Sequence, residues 1–178
     1  MIELVAVTAV ITILGGATAA RVLSSVDHSR GYAAARYLAG RMALARTQAV
    51  ARSTAVGLRF TQESAGFTFA VFQDGNGNGI RTADIQSGVD RPSQPSTSLF
   101  EQFPGVDIGL SPQSPATSAV QLGQTNLLTF TPLGTATSGT IYVRDQRGTQ
   151  WAVRVLGATG RIRVLRYDPR TGNWLVAQ

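Results

Sequence analysis

The sequence has no cysteine and no lysine, so all of its 16 basic residues are arginine. Without cysteine there are no disulfides or thiolate metal sites, and stability must come from packing and strand pairing. Without lysine a phosphate-binding loop of the GxxxxGK[ST] type is excluded, and the single histidine, His28, excludes metal motifs built on a histidine pair. A Ser/His/Asp site would have to use His28, which follows an apolar segment far from any predicted pocket. The sequence therefore predicts a protein that is not an enzyme and has no small-molecule substrate.

The charge of the chain is divided into blocks. Residues 1–59 carry seven arginines against two acids, residues 60–140 carry two against six, and residues 141–178 carry seven against two. The net charge of +6 is therefore the sum of two basic blocks and an acidic middle block. Segregated arginine indicates anionic partners such as phosphates or lipid headgroups, although a domain of high pI can also simply be soluble and basic.

The first apolar segment, residues 4–20, carries no charge. As a helix it would span roughly 26 Å, slightly less than the ~30 Å hydrocarbon core of a bilayer. A buried core helix would normally show a polar face, whereas only three threonines interrupt this segment. A secretory signal peptide is the alternative, because residues 17–19 have a small-residue cleavage pattern, but Glu3 lies where a basic region should precede the apolar run. We therefore expect a membrane-embedded helix.

Glu3 is a candidate functional residue, because an acid at the edge of a membrane helix is costly unless it finds a partner. The start Met1-Ile2-Glu3-Leu4-Val5, followed by the apolar helix, resembles the mature N-terminus of type IV pilins and type II secretion pseudopilins. In that family the glutamate neutralises the N-terminal amine of a neighbouring subunit, so the resemblance implies a role for Glu3 in subunit assembly. It also implies a basic leader ahead of Met1.

The remainder of the chain predicts an α+β fold, in which a long N-terminal helix packs on an antiparallel sheet. Residues 19–51 lack proline and are rich in alanine, leucine, methionine and arginine, which favours one helix. Its apolar stripe should be buried, while Arg36, Arg46 and Arg52 should fall away from it. The stripe consists of Ala34, Leu38, Met42, Ala45 and Ala49. We expect an N-terminal membrane helix over 1–26 and a globular domain over 27–178, helical to about residue 52 and β-rich afterwards.

The predicted strands alternate apolar and polar residues or are rich in valine, phenylalanine and isoleucine. They are residues 55–60, 66–72, 106–110, 127–130, 140–144, 151–156, 162–166 and 174–176. Two stretches rich in proline, serine and glutamine, 89–98 and 111–118, predict surface loops. Phe130, Leu133 and Trp151 are expected in the core.

This continuation resembles the GspH/FimT class of minor pseudopilins over nearly the whole chain. The resemblance is carried by RMALARTQAVARSTAVGLRF, FQDGNGNGIRTADI, TFTPLGTATSGT and GRIRV, in that order after the N-terminal start. It implies a structural subunit of a type IV pilus-like or type II secretion fibre, with other pilin or pseudopilin subunits as partners. It also implies a single pass through the inner membrane, with the globular domain in the periplasm or in an extracellular fibre.

The loop of residues 74–79 has the first half of a calcium-binding pattern. Oxygen-bearing side chains stand at Asp74, Asn76 and Asn78, and a glycine follows in the sixth position. The closing acid of such a loop should occupy the twelfth position, which is Ile85, while Asp84 falls one short. A turn rich in glycine and asparagine explains the same residues without a metal. The pattern therefore leaves calcium and a metal-free turn as alternatives for this loop, and no other cofactor is predicted.

The C-terminal basic block contains a candidate site for double-stranded DNA. In a strand, Arg161 and Arg163 would point to the same face, and neighbouring guanidiniums bind phosphate oxygens without reading sequence. In the FimT branch a GRxR element is associated with DNA uptake, and Arg161 and Arg163 match it. The proposed set also contains Arg154, Arg166 and Arg170. Three functions thus remain open: a structural minor pilin, a DNA-binding minor pilin, and a secreted periplasmic binding protein with a cleaved signal.

Overall fold

The structure, a computed structural model, describes Glu3 and residues 29–177. The predicted membrane segment, residues 4–20, lies outside the described residues. Among the residues that are described, no helix is both long and apolar enough to cross a bilayer.

The first helix, α1, covers residues 29–52 of the described chain. The predicted stripe is confirmed, because each of its five residues is at most 1% exposed, whereas Arg36, Arg46 and Arg52 are exposed. α1 ends where Ser53 adopts a left-handed φ of 50° and the Thr54 N–H donates to the Ala49 carbonyl at 3.2 Å. This left-handed residue turns the chain into the first strand.

Eleven strands follow α1 in the described chain, all paired antiparallel. Their bounds are β1 Val56–Glu63, β2 Gly66–Gln73, β3 Arg91–Pro92, β4 Thr97–Ser98, β5 Val106–Ile108, β6 Val120–Gln121, β7 Leu127–Phe130, β8 Gly139–Asp145, β9 Gln150–Leu156, β10 Arg161–Asp168 and β11 Asn173–Val176. Two short helices, α2 Thr82–Ser87 and α3 Leu99–Gln102, lie between strands.

The strands form two sheets rather than the one expected. The first has the order β3-β2-β1-β7, with β4 also paired to β2, and the second has the order β11-β10-β9-β8-β5, with β6 also paired to β8. One apolar cluster joins the α1 stripe to both sheets, through residues such as Leu58, Phe130 and Val153. The α+β class is confirmed, and the core lies where α1 meets the two sheets.

Every predicted strand is present, but several short elements were not expected. β3 and β4 lie inside the predicted loop 89–98, and β6, α2 and α3 were also missed. Strands of two residues are too short to show an alternating pattern, and their pairing depends on a neighbouring strand that already exists. α2 has no side-chain cap and no buried residue, so it lacks the usual sequence signals of a helix.

Two of the three expected core residues are confirmed, and one is wrong. Phe130 and Trp151 are 0% and 3% exposed, whereas Leu133 is 90% exposed. Residues 131–134 form a turn in which the Gly134 N–H donates to the Thr131 carbonyl at 2.9 Å. Leu133 occupies a central position of that turn, where a side chain points away from the strands on either side.

Candidate functional site

Three of the predicted arginines lie together on the outer face of the second sheet. In the pairing of β9 with β10, Arg163 is directly opposite Arg154, and Arg161 is opposite Leu156. Directly paired residues point to the same face of a sheet, as do residues two apart in one strand. All three arginines are exposed. We call Arg154, Arg161 and Arg163 the arginine face.

The arginine face has no internal compensation for its charge. Within the described part of the chain, none of its guanidiniums forms an ion pair. Arg144 is different, since its guanidinium binds both oxygens of Asp107 at 2.9 and 3.0 Å, and this hydrogen bond and charge raise the pKa of Arg144. Like charges opposite one another across a strand pair are destabilising, so an anion that binds the arginine face would relieve repulsion.

The structure does not bring Arg166 and Arg170 to the arginine face. Arg166 is opposite Trp151, a core residue, so it belongs to the face that is turned toward α1. Arg170 follows β10, and its N–H donates to Asp168 Oδ1 at 3.0 Å. The end of β10 at Asp168 lies roughly 23 Å from Arg161 along the strand. The five predicted arginines therefore do not form one site.

An apolar cluster occupies the other half of the outer face. It contains Tyr142, Ala152 and Leu165, and the Trp174 ring lies 5.6 Å from Tyr142 and 5.1 Å from Tyr167, measured between centroids. Burial raises the pKa of the Tyr142 phenol, while the nearby charge of Arg154 partly lowers it. The aromatic rings thus contact one another in tilted orientations beside the arginines.

The turn between β9 and β10 is fixed to the preceding loop. The Ala136 N–H donates to the Gly157 carbonyl at 2.8 Å, and the Gly157 N–H donates to Ser138 Oγ at 3.0 Å. From α1, Arg46 Nε donates to the Gly134 carbonyl at 3.2 Å. These contacts determine where β10 begins, and so where Arg161 and Arg163 lie.

A groove of about 640 Å³ runs between α1 and the start of β10. We call it the α1–β10 groove. The residues that line it are Tyr32, Arg36, Ala39, Gly40, Ala43, Arg161, Ile162, Arg163, Val164, Val176 and Ala177. It joins Arg36 of the first basic block to Arg161 and Arg163 of the second. Sequence reasoning missed this juxtaposition, because Arg36 and Arg161 are far apart in the chain and no local pattern relates them.

Asp74 organises its loop through backbone hydrogen bonds. One of its carboxylate oxygens accepts from the Asn76 and Gly77 N–H groups at 3.1 and 2.8 Å, and the other accepts from Gly79 N–H at 2.8 Å. Asp90, which is fully buried, accepts from Gly75 and Arg81 N–H, both at 3.1 Å. No group of three acidic, histidine or cysteine side chains suited to a metal occurs among the residues described. The calcium site on Asp74, Asn76, Asn78 and Asp84 stays a prediction. The hydrogen bonds that Asp74 accepts from the loop backbone explain this residue without a metal.

Glu3 is helical and exposed. The residues around it lie outside those that the structure describes. Its role in subunit assembly therefore stays a prediction.

The comparisons with known proteins point to one family. The family model described as type II transport protein GspH matches residues 34–160. The structure is similar to that of the minor pseudopilin EpsH from the Type 2 Secretion System of Vibrio cholerae, with a TM-score of 0.51 and 16% identity over 77% of this chain and 97% of that one. A second structure, of the minor pseudopilin EPSH of the type II secretion system of the same organism, has a TM-score of 0.50 and 16% identity over 76% and 93%. At this identity the likeness shows the fold. No curated protein matches the chain closely enough to be called a relative.

Proposed function

The chain belongs to the family of type II transport protein GspH, and on that premise we propose that it assembles with other pilin-like subunits into a secretion fibre. The family is one of structural pseudopilins and not of enzymes. We propose further that residues 1–26 hold the chain in the inner membrane, with the globular domain on the periplasmic side or in the fibre. The observation that carries the proposal is the family match over residues 34–160, preceded by the uncharged segment 4–20.

The structural neighbours favour a secretion fibre over a pilus, because both are described as minor pseudopilins of a type II secretion system. A secreted periplasmic binding protein with a cleaved signal is not favoured, since the family is one of fibre subunits.

Glu3 offers the test of fibre assembly. Glu3→Ala should leave the domain folded and impair incorporation, because the expected partner of the carboxylate is another subunit. The matched control is Glu101→Ala, which removes an exposed glutamate from α3. The measurement is the amount of each variant in a sheared cell-surface fraction, relative to the amount in the membrane fraction. Equal incorporation of Glu3→Ala and wild type would contradict the pairing role of Glu3.

DNA binding is the second candidate function, and the grouping of Arg154, Arg161 and Arg163 supports it. If the arginine face binds duplex DNA, Arg161→Gln with Arg163→Gln should weaken binding about equally for unrelated sequences, since phosphate contacts do not specify bases. The slope of log affinity against log salt should flatten by roughly 0.9 per lost contact. Arg166→Gln with Arg170→Gln removes the same charge from outside the arginine face and is the control. An absence of wild-type binding at low salt, or equal effects of both pairs, would reject the site.

A further inference from the structure

The edge of the second sheet is open beside the start of β10. β11 pairs with β10 only at residues 165–168, and beyond it the Ala177 N–H donates to the Val164 carbonyl at 3.1 Å. Main-chain groups point to alternate sides along a strand, so the N–H and C=O of Ile162 point the same way as those of Val164, away from β9. Within the described chain, residues 161–163 have no strand partner on that side. This edge can accept a further strand.

The α1 side of the groove leaves room for side chains. Ala39, Gly40 and Ala43 line it, and a Cβ added to Gly40 would meet nothing within 4 Å. On the sheet side, Ile162 and Val164 are half-buried, and Val176 is 65% exposed. The groove therefore combines an open strand edge with an uncovered apolar lining.

Positive charge surrounds this apolar lining. Arg36, Arg161 and Arg163 border the groove, and Arg154 is opposite Arg163. Arg36 donates to the Tyr32 hydroxyl at 3.3 Å, and within residues 29–177 none of the four arginines forms an ion pair. A partner that fits the groove should therefore be acidic.

We propose that the α1–β10 groove binds an extended segment of a neighbouring fibre subunit, in which apolar and acidic residues alternate. The segment adds as a strand to the edge of β10, so its main chain pairs with that of Ile162. Side chains on the inner face of the added strand contact Ala39, Gly40 and Ala43 and must be small or apolar. Those on the outer face lie beside Arg161 and Arg163 and must be acidic. That the partner is a fibre subunit rests on the proposed function, whereas the peptide chemistry does not.

The groove fits a peptide better than a nucleic acid. An apolar lining offers nothing to a phosphate backbone, and single strands are held by aromatic platforms on which bases stack. Tyr32 is the one aromatic residue in the groove lining, and the Arg36 guanidinium lies 5.6 Å from its ring centroid. Arg36 therefore occupies the ring face that a base would need.

The test measures binding of a short, end-blocked, fluorescent peptide of alternating valine and glutamate to the full chain in detergent, by anisotropy. A peptide of alternating valine and lysine is the charge control. Arg161→Gln with Arg163→Gln should weaken binding of the acidic peptide about tenfold, or ~1.4 kcal/mol. Arg166→Gln with Arg170→Gln should have no effect within about twofold, because those charges lie outside the groove.

The substitution Gly40→Leu tests the shape of the groove without changing its charge. Leucine favours a helix more than glycine does, so α1 should be preserved while the added side chain fills the groove. The Gly40→Leu variant should bind the acidic peptide about tenfold more weakly, and its binding of duplex DNA should be unchanged. Circular dichroism of each variant shows whether the fold is retained.

The following results would overturn the proposal: no binding of the acidic peptide, equal binding of the basic peptide, or a folded Gly40→Leu variant with unchanged affinity. Binding of duplex DNA that displaces the peptide and is itself blocked by Gly40→Leu would assign the groove to nucleic acid instead. Incorporation of the Glu3→Ala variant into the fibre is measured in a separate experiment from peptide binding. Failure of the groove proposal and failure of the fibre proposal can therefore be distinguished.

Discussion

Gly160 precedes the two arginines of the GRxR element, and its surroundings explain why a glycine stands there. Its φ is +59°, a left-handed conformation that residues with a side chain disfavour. A Cβ at this position would lie 2.3 Å from the Gly134 carbonyl oxygen and 2.8 Å from Arg46 Nε. The glycine of GRxR therefore has a packing role that is independent of any ligand of the arginines.

Gly160→Ala should lower the free energy of unfolding by about 3 kcal/mol or more, because left-handed strain and a backbone collision act together. Gly172→Ala is the matched control, since Gly172 has a φ of +68° with nothing within 4 Å of its added Cβ. It should cost only about 1 kcal/mol for the conformation itself. Urea unfolding followed by circular dichroism measures both, and equal losses would show that the Gly134 contact is not restrictive.

Asp74 is the residue at which the loop and calcium hypotheses differ. If its carboxylate binds the backbone N–H groups of the loop, Asp74→Ala should lower Tm, because three N–H groups lose their acceptor and a typical protein hydrogen bond contributes about 0.5–1.5 kcal/mol. Asp84→Ala should then have a smaller effect, and neither calcium nor a chelator should change Tm of the wild type. If calcium raises Tm of the wild type but of neither variant, a metal site is present and the loop explanation is insufficient.

At the scale of elements, α1 owes its position to one buried stripe. Leu38→Ala removes a side chain that is 0% exposed and should cost about 2–5 kcal/mol, because a cavity remains between α1 and the sheets. Leu44, on the same helix, is 45% exposed, and Leu44→Ala should change stability by less than about 0.5 kcal/mol. Chemical denaturation of both variants gives the comparison. Similar losses would mean that Leu44 is buried by a contact outside the described residues.

The β9–β10 hairpin shows how an element selects among candidate residues. Arg163 and Arg166 are three apart, an odd spacing, so they lie on opposite faces of β10. The same alternation places Ile162 and Val164 toward the core cluster. The hairpin therefore carries Arg154, Arg161 and Arg163 on its outer face and turns Ile162 and Val164 toward the core.

At the scale of the whole molecule, the core of the described residues extends from α1 across both sheets. The main apolar cluster consists of residues between Ala34 and Val155, with partly buried neighbours from Tyr32 to Ala177. A chain that lacks residues 1–26 should therefore be soluble and folded. Circular dichroism and thermal unfolding without detergent would measure this. Persistent aggregation with an unstructured spectrum would show that the first segment belongs to the core.

Local features of the fold could be predicted from the sequence, and non-local features could not. The sequence predicted the buried stripe on α1 and eight strands. It also predicted that Arg161 and Arg163 lie on the same face of one strand. Helical and strand periodicities are local, so residues a few positions apart reveal which face is buried. The family resemblance also depended on motifs that are short and contiguous.

The tertiary structure alone decided which distant residues meet. Two sheets rather than one, the exposure of Leu133, and the groove that joins Arg36 to Arg161 depend on packing between segments far apart in the chain. Alternation within β10 already separates Arg166 from Arg163. It does not specify the neighbouring strand, so only the register with β9 determined that Arg154 joins the arginine face. The sequence by itself thus determined α1, the eight strands of three or more residues, their buried faces and the family, whereas the arrangement of charge around the α1–β10 groove arose from the packing of α1 on the second sheet.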